Sequence, residues 1–138
     1  MRSLSVRATG PAVIVVALLL TVGCASTRIN FVGPPGSVLF VDGKPHHLPA
    51  AVELSRPDGS GSQRHDVSLV ANVQSTELRA KGHIDVFGYA ESDVDKMAVN
   101  TCNLDQEHLA QLLSGKVVVF RGQSASRQPL YDLTLVKE

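Results

Sequence analysis

The sequence predicts a mainly β protein: a small β-sandwich-like or partly open barrel module with one packed helix in its C-terminal half. Three observations carry that reading. Apolar and polar residues alternate over 66–73, so that Val67, Leu69, Ala71 and Val73 share one face, the period-two mark of a half-buried strand. Short runs rich in Val, Leu, Ile and Phe are separated by Gly, Pro and Asp clusters such as Gly33-Pro34-Pro35-Gly36 and Asp42-Gly43. Only residues 104–114 carry helical spacing, with Leu104, His108, Leu109, Leu112 and Leu113 largely on one side. Strands therefore outnumber helices, which places the single helix against a sheet.

The elements follow in order. Residues 28–32 form a first short strand, and 33–36 a turn. Residues 37–41 are β-prone and end at Asp42-Gly43, a strong turn dipeptide. Residues 44–49, Lys-Pro-His-His-Leu-Pro, hold too much proline for a central strand. Residues 51–54 read as a brief strand, and 58–62 as a flexible hairpin tip. After the strand at 66–73, residues 78–89 read as another, with Ile84 and Val86 inward and Gly82 and Gly88 as bend or bulge points. Residues 91–100 read as a loop or a short helical turn. The helix takes Asn103 as N-cap, Asp105 and Glu107 in its first turn and Gly115 just past its end. Residues 116–120 and 129–136 close the chain as a hairpin around the polar loop 122–128.

The chain opens with Arg2 and Arg7, an apolar stretch from Pro11, and the run Leu18-Leu19-Leu20-Thr21-Val22-Gly23-Cys24-Ala25-Ser26. That stretch is shorter than the ~20 apolar residues a membrane-spanning helix needs. The arrangement resembles a bacterial lipoprotein signal with its lipobox, although Thr21 stands where Leu is usual. The resemblance implies a signal peptide over 1–23, a lipidated Cys24 with a tether over 24–33, and a single β-rich domain over 34–138. A thiol is nucleophilic enough to take a diacylglycerol, and two or more acyl chains give stable anchoring. Ala25 after the cysteine, rather than Asp, implies sorting to the outer membrane, with the domain facing the periplasm or the cell surface. The same residues also fit an ordinary signal peptide cut after Ala25, or an uncleaved anchor.

Without residues 1–23 the chain has about 115 residues, enough for one domain with its own core. Arg2 and Arg7 fall in the removed segment, so 11 basic residues remain against 13 acidic ones. That balance argues against nucleic-acid binding and against a polybasic membrane patch. Absence of Trp leaves little aromatic surface for stacking sugars or bases. With Cys24 acylated, Cys102 is the remaining cysteine and reads as a buried thiol.

Residues 34–73 resemble a PEGA-type domain of bacterial envelope proteins. The resemblance rests on Pro34-Pro35-Gly36-Ser37, Val38-Leu39-Phe40, Val41-Asp42-Gly43-Lys44-Pro45 and Leu48-Pro49-Ala50-Ala51-Val52-Glu53-Leu54. Pro35 and Ser37 replace the family's Glu and Ala, and Leu48 replaces its Thr. The resemblance implies a β-sandwich-like module in the envelope and no reaction.

Catalytic and metal patterns are thin. His46 and His47 are adjacent, and in an extended segment they point to opposite sides, which suits solvated histidines better than a shared metal. Glu91-x-Asp93-x-Asp95 resembles the start of a calcium loop, but Lys96 stands where glycine belongs. Ser60, His65 and Asp66 are triad residue types without a nucleophile elbow. No cofactor motif is present. The expectation is a non-catalytic lipoprotein acting as a binding or assembly accessory of an envelope complex, or alternatively a periplasmic inhibitor or small-ligand binder. The candidate contact residues are Lys44, His46, His47, Arg56 and Arg64, on the polar segments 44–49 and 56–64.

Overall fold

Residues 24–90 and 100–138, the part of the chain that the computed structural model describes, form nine strands and one helix. In chain order they are β1 (Cys24–Val32), β2 (Val38–Val41), β3 (Lys44–His47), β4 (Ala50–Pro57), β5 (Ser62–Val73), β6 (Thr76–Phe87), β7 (Thr101–Asn103), α1 (Gln106–Leu113), β8 (Val118–Gln123) and β9 (Pro129–Lys137). Two sheets result, ordered β4-β1-β7 and β3-β2-β5-β6-β9-β8. They face each other as a sandwich and do not close into a barrel. Among the described residues no helix is long and apolar enough to cross a membrane.

Period-two patterning builds the core. Val67, Leu69, Ala71 and Val73 of β5 are buried, as are Ile84 and Val86 of β6 and Leu133 and Leu135 of β9. Ile29 and Phe31 of β1 and Val52 and Leu54 of β4 are buried in the smaller sheet. That sheet covers only part of the larger one. The helix packs on β5, β6, β8 and β9, burying Leu109 and Leu112.

The outer face of the large sheet is polar. Arg64, Asp85, Asp132 and Arg121 stand in one cross-strand row, set by the pairs Arg64↔Asp85, Asp85↔Asp132 and Arg121↔Asp132. Arg64 holds Asp85 through two hydrogen bonds of 2.9 and 3.2 Å. That contact, first among the causes, keeps the Asp85 carboxyl below the usual carboxylate range.

Several expectations change. The tether placed over 24–33 is strand instead: β1 begins at Cys24, which pairs with Pro57, and continues to Phe31↔Ala50. Inward Thr27, Ile29 and Phe31 alternate with Ser26, Arg28 and Asn30, and this gives the segment a face to bury. Gly82 is not a bulge, because β6 keeps its register with both neighbours there. It is a close approach: a Cβ on Gly82 would stand 1.8 Å from the Thr134 carbonyl oxygen. The register irregularity lies between Gly122 and Gln123. Gly88 is one residue past the end of β6.

The helix is capped two residues later than expected. Asn103 is used by β7, opposite Val32, and Leu104 N–H donates to the Val32 carbonyl at 2.7 Å. Asp105 is the N-cap, accepting from the His108 N–H at 2.9 Å. Residues 91–99, including the acidic triplet Glu91, Asp93 and Asp95, lie outside the described residues.

Candidate binding cleft

Among the described residues each sheet ends in an edge strand on the same side of the sandwich, β3 in the larger sheet and β4 in the smaller, paired on one side only. A cleft of about 450 Å³ opens there, between the β2–β3 hairpin and β4. Its rim carries Lys44, His46 and Glu53, and His65 from β5 reaches its floor. Lys44 and His46 thus share one surface, because positions two apart on a strand point the same way. His47 is exposed on β3 but does not line the cleft. Pro45 fits β3 because an edge strand can leave one N–H position unused. The connection to β4 runs through a cis Leu48–Pro49 bond.

The floor is a polar clamp between the two sheets. His65 is 6% exposed. Its Nδ1 stands 2.7 Å from Asp42 Oδ2, and its Nε2 stands 2.9 Å from the Ser55 carbonyl oxygen. Asp42 sits in the β2–β3 turn at φ +50°, a conformation that Asp tolerates better than most residues. Its Oδ1 accepts from the Asp66 N–H at 3.1 Å, and its own N–H donates to the Asp66 carbonyl at 2.8 Å. Asp42 and His65 belong to the large sheet side and Ser55 to β4, so one imidazole ties the two layers.

This clamp contains a serine, a histidine and an aspartate, though not the Ser60, His65 and Asp66 of the sequence reading. Ser60 lies in the hairpin tip, and exposed Asp66 points away from the core face that His65 joins. Ser55 Oγ is 3.5 Å from Nε2, the outer limit of a hydrogen bond. The Ser55 carbonyl takes the same nitrogen at 2.9 Å. A base must offer a lone pair to the nucleophile's proton, and in this geometry Nε2 is directed at a carbonyl instead. The arrangement suits a structural clamp.

Of the other candidate residues, Arg56 is a correction. It was expected on a contact surface, but it is 3% exposed and faces the interior of the sandwich. Its guanidinium lies 3.6 Å from the centroid of the Tyr89 ring. Nη1 donates to the Pro57 and Tyr89 carbonyls at 3.0 Å each. Continuing the Val52, Leu54 alternation by one step puts Arg56 inward, and the stem and stacked head make that burial tolerable. Arg64 is exposed but occupied by Asp85 on the outer face, away from the cleft. Asp42 and Ser55, the partners of His65, carry no local sequence pattern that would single them out.

A second hollow, of about 460 Å³, lies on the outer face of the large sheet, among Phe87, Arg121, Gln123, Pro129 and Asp132. Cys102 is buried, as expected, at 2% exposure. Burial pushes its thiol up to about 11, against a smaller downward pull from the Tyr131 hydroxyl. Among the described residues no three His, Cys, Asp or Glu side chains come together as a metal site.

Comparison of the chain with protein-family models, curated proteins and solved structures finds no match to any of them.

Proposed function

We propose that the protein is an envelope-anchored, non-catalytic lipoprotein, held in the outer membrane through acyl chains on Cys24, that serves as a binding or assembly accessory of a larger envelope complex. The lipobox pattern and the PEGA-like order of turn residues support the location. The observation that carries the binding role is the cleft between the free edges of β3 and β4, with Lys44, His46 and Glu53 on its rim. Unpaired edge strands offer backbone donors and acceptors to an extended partner segment, and the rim charges select among such segments. A non-catalytic role is favoured by His65, whose two ring nitrogens are both engaged by oxygens of Asp42 and Ser55.

The test is site-specific photocrosslinking from Lys44 and His46 in cells, with intact mass measured on the membrane-fraction protein. Expected are an acylated chain beginning at Cys24 and a discrete envelope protein crosslinked at both positions. Lys44→Glu with His46→Glu, with the crosslinker moved to Glu53 on the same rim, should abolish capture while the folded circular dichroism persists. An unacylated chain, or a hydrolytic activity lost in Ser55→Ala, would overturn the proposal.

A small-ligand role is the second reading, and the hollow around Phe87, Arg121 and Asp132 favours it. Apolar floors with a few polar groups suit small ligands. A co-purifying molecule displaced by Phe87→Ala would move the assignment there.

A further inference from the structure

We infer that the domain has no stalk and rests directly on the lipid surface, with the loops 58–61 and 124–128 as its membrane-facing rim. This rests on the proposed acylation of Cys24. The carrying observation is the register of β1: Cys24 is already opposite Pro57, and Ala25 opposite Arg56. The next residues are held as well. Ser26 Oγ donates to Glu53 at 2.9 Å, and Thr27 Oγ1 shares a hydrogen bond with the Tyr89 hydroxyl at 3.3 Å. Consecutive Cα atoms are ~3.8 Å apart. An acyl group at Cys24 is therefore only a few ångströms of chain from a fixed strand.

The pairing also says which end faces the lipid. Asp58 forms a bridge with Tyr89, and Gly88 N–H donates to the Gly61 carbonyl at 2.8 Å. Ser62 is opposite Phe87, Val86 is opposite Tyr131, and Gln123 is opposite Pro129. Cys24, the 58–61 tip and the 124–128 loop thus share one end of the sandwich. The Gln74-Ser75 turn is at the other, eleven strand steps beyond Ser62, or ~36 Å at ~3.3 Å per residue. Lys44 and His46 stand level with Val67 and Leu69, through Val41 and Leu39. That puts the cleft ~17–23 Å above Ser62 by the same rise, within reach of a partner that itself hugs the bilayer.

Among its described residues the rim has no group with an affinity of its own for lipid. Its two loops carry one acid, Asp58, and one base, Arg127, and no large apolar side chain. Contact is enforced by chain length rather than by charge or insertion. The unacylated domain should therefore ignore vesicles, including anionic ones.

The experiment uses the full lipoprotein from a lipid-modifying bacterial host, reconstituted in vesicles of phosphatidylethanolamine and phosphatidylglycerol that contain headgroup-nitroxide lipid. Acylation is read by intact mass on the same sample. A fluorophore is placed at Ser60→Cys or at exposed Asn72→Cys, near the far turn; buried Cys102 stays unlabelled. Expected is strong quenching at position 60 and none at 72. Inserting a Gly-Ser segment of about twelve residues after Ala25, which as a coil spans ~20 Å, should abolish the quenching without changing the acyl mass. Equal quenching at the two positions, or quenching that survives the insertion, overturns the flush arrangement while acylation stands. A chain without acyl mass overturns the anchor itself, and the flush arrangement with it.

Discussion

His65 and Asp42 meet at 2.7 Å beneath the cleft, joining a buried imidazole on β5 to an exposed turn between β2 and β3. The other ring nitrogen reaches across to the Ser55 carbonyl on the opposing sheet. Charge-assisted hydrogen bonds of this kind are worth ~1.5–3 kcal/mol. His65→Ala should therefore cost about 3 kcal/mol in urea unfolding, since it removes both contacts and leaves a gap. Ser55→Ala removes only a hydroxyl at the limit of bonding distance and should stay within about 0.5 kcal/mol, as ordinary surface substitutions do. Comparable losses for the two variants would mean that the serine hydroxyl, not the carbonyl, holds the ring.

How legible these features were depends on the length of the pattern behind each. The eight-residue alternation at 66–73 set the inward face of β5, and extending it one step back puts His65 on that face with Val67. The same step forward from Leu54 buries Arg56, so reading β4 as ending at Leu54 is what left Arg56 on the surface. Exposed Lys44 and half-buried His46 were legible as polar residues of an edge segment because two prolines keep it there. The three residues of β7 were not legible, since their parallel pairing with β1 is fixed by long-range bonds such as Asn30 N–H to the Asn100 carbonyl at 2.8 Å. Nor was the Gln74-Ser75 turn, where both residues take positive φ, +52° and +66°, without the Asn or Gly that usually signals it.

Tyr131 and Gly122 face each other across the last hairpin, and the ring occupies the space a side chain would need. A Cβ on Gly122 would stand 1.8 Å from Tyr131 Cε2. The ring is almost fully buried, 2% exposed, so it has nowhere free to move. Gly122→Ala should destabilise the protein by about 2–3 kcal/mol, as overpacked cores do. Gly122→Ala combined with Tyr131→Leu should recover part of that loss in a double-mutant cycle. Purely additive effects would show that the ring is not what excludes the methyl group.

Cys102 should behave as a packing residue toward thiol reagents. Its pKa of about 11 leaves very little thiolate at pH 8, and burial blocks the reagent's approach. Maleimide labelling at pH 8 should therefore be negligible in the folded protein and complete in urea. Labelling should rise with urea in step with the unfolding transition. Fast labelling under native conditions would place the thiol at an accessible surface.

Asp105 links the helix to pH. Its carboxylate accepts from the backbone N–H of His108 at 2.9 Å and from the His108 ring at 2.7 Å. Burial, the largest single influence, pushes the carboxyl up, but the bonds from His108 together outweigh it and hold it below its ordinary range. The sign follows: a carboxyl lowered by folding adds stability that is fully present above its unfolded pKa of ~3.9 and is lost as pH falls through the folded value. Asp105→Ala should cost ~1 kcal/mol at pH 7 as a lost N-cap. Asp105→Asn keeps a capping oxygen and should cost less. Both variants should flatten the fall in stability below pH 4 relative to the parent, measured as urea midpoints from pH 7 down to pH 3. An unchanged acid limb in both would assign the acid sensitivity to other carboxylates, with Asp85 beside Arg64 the next to replace.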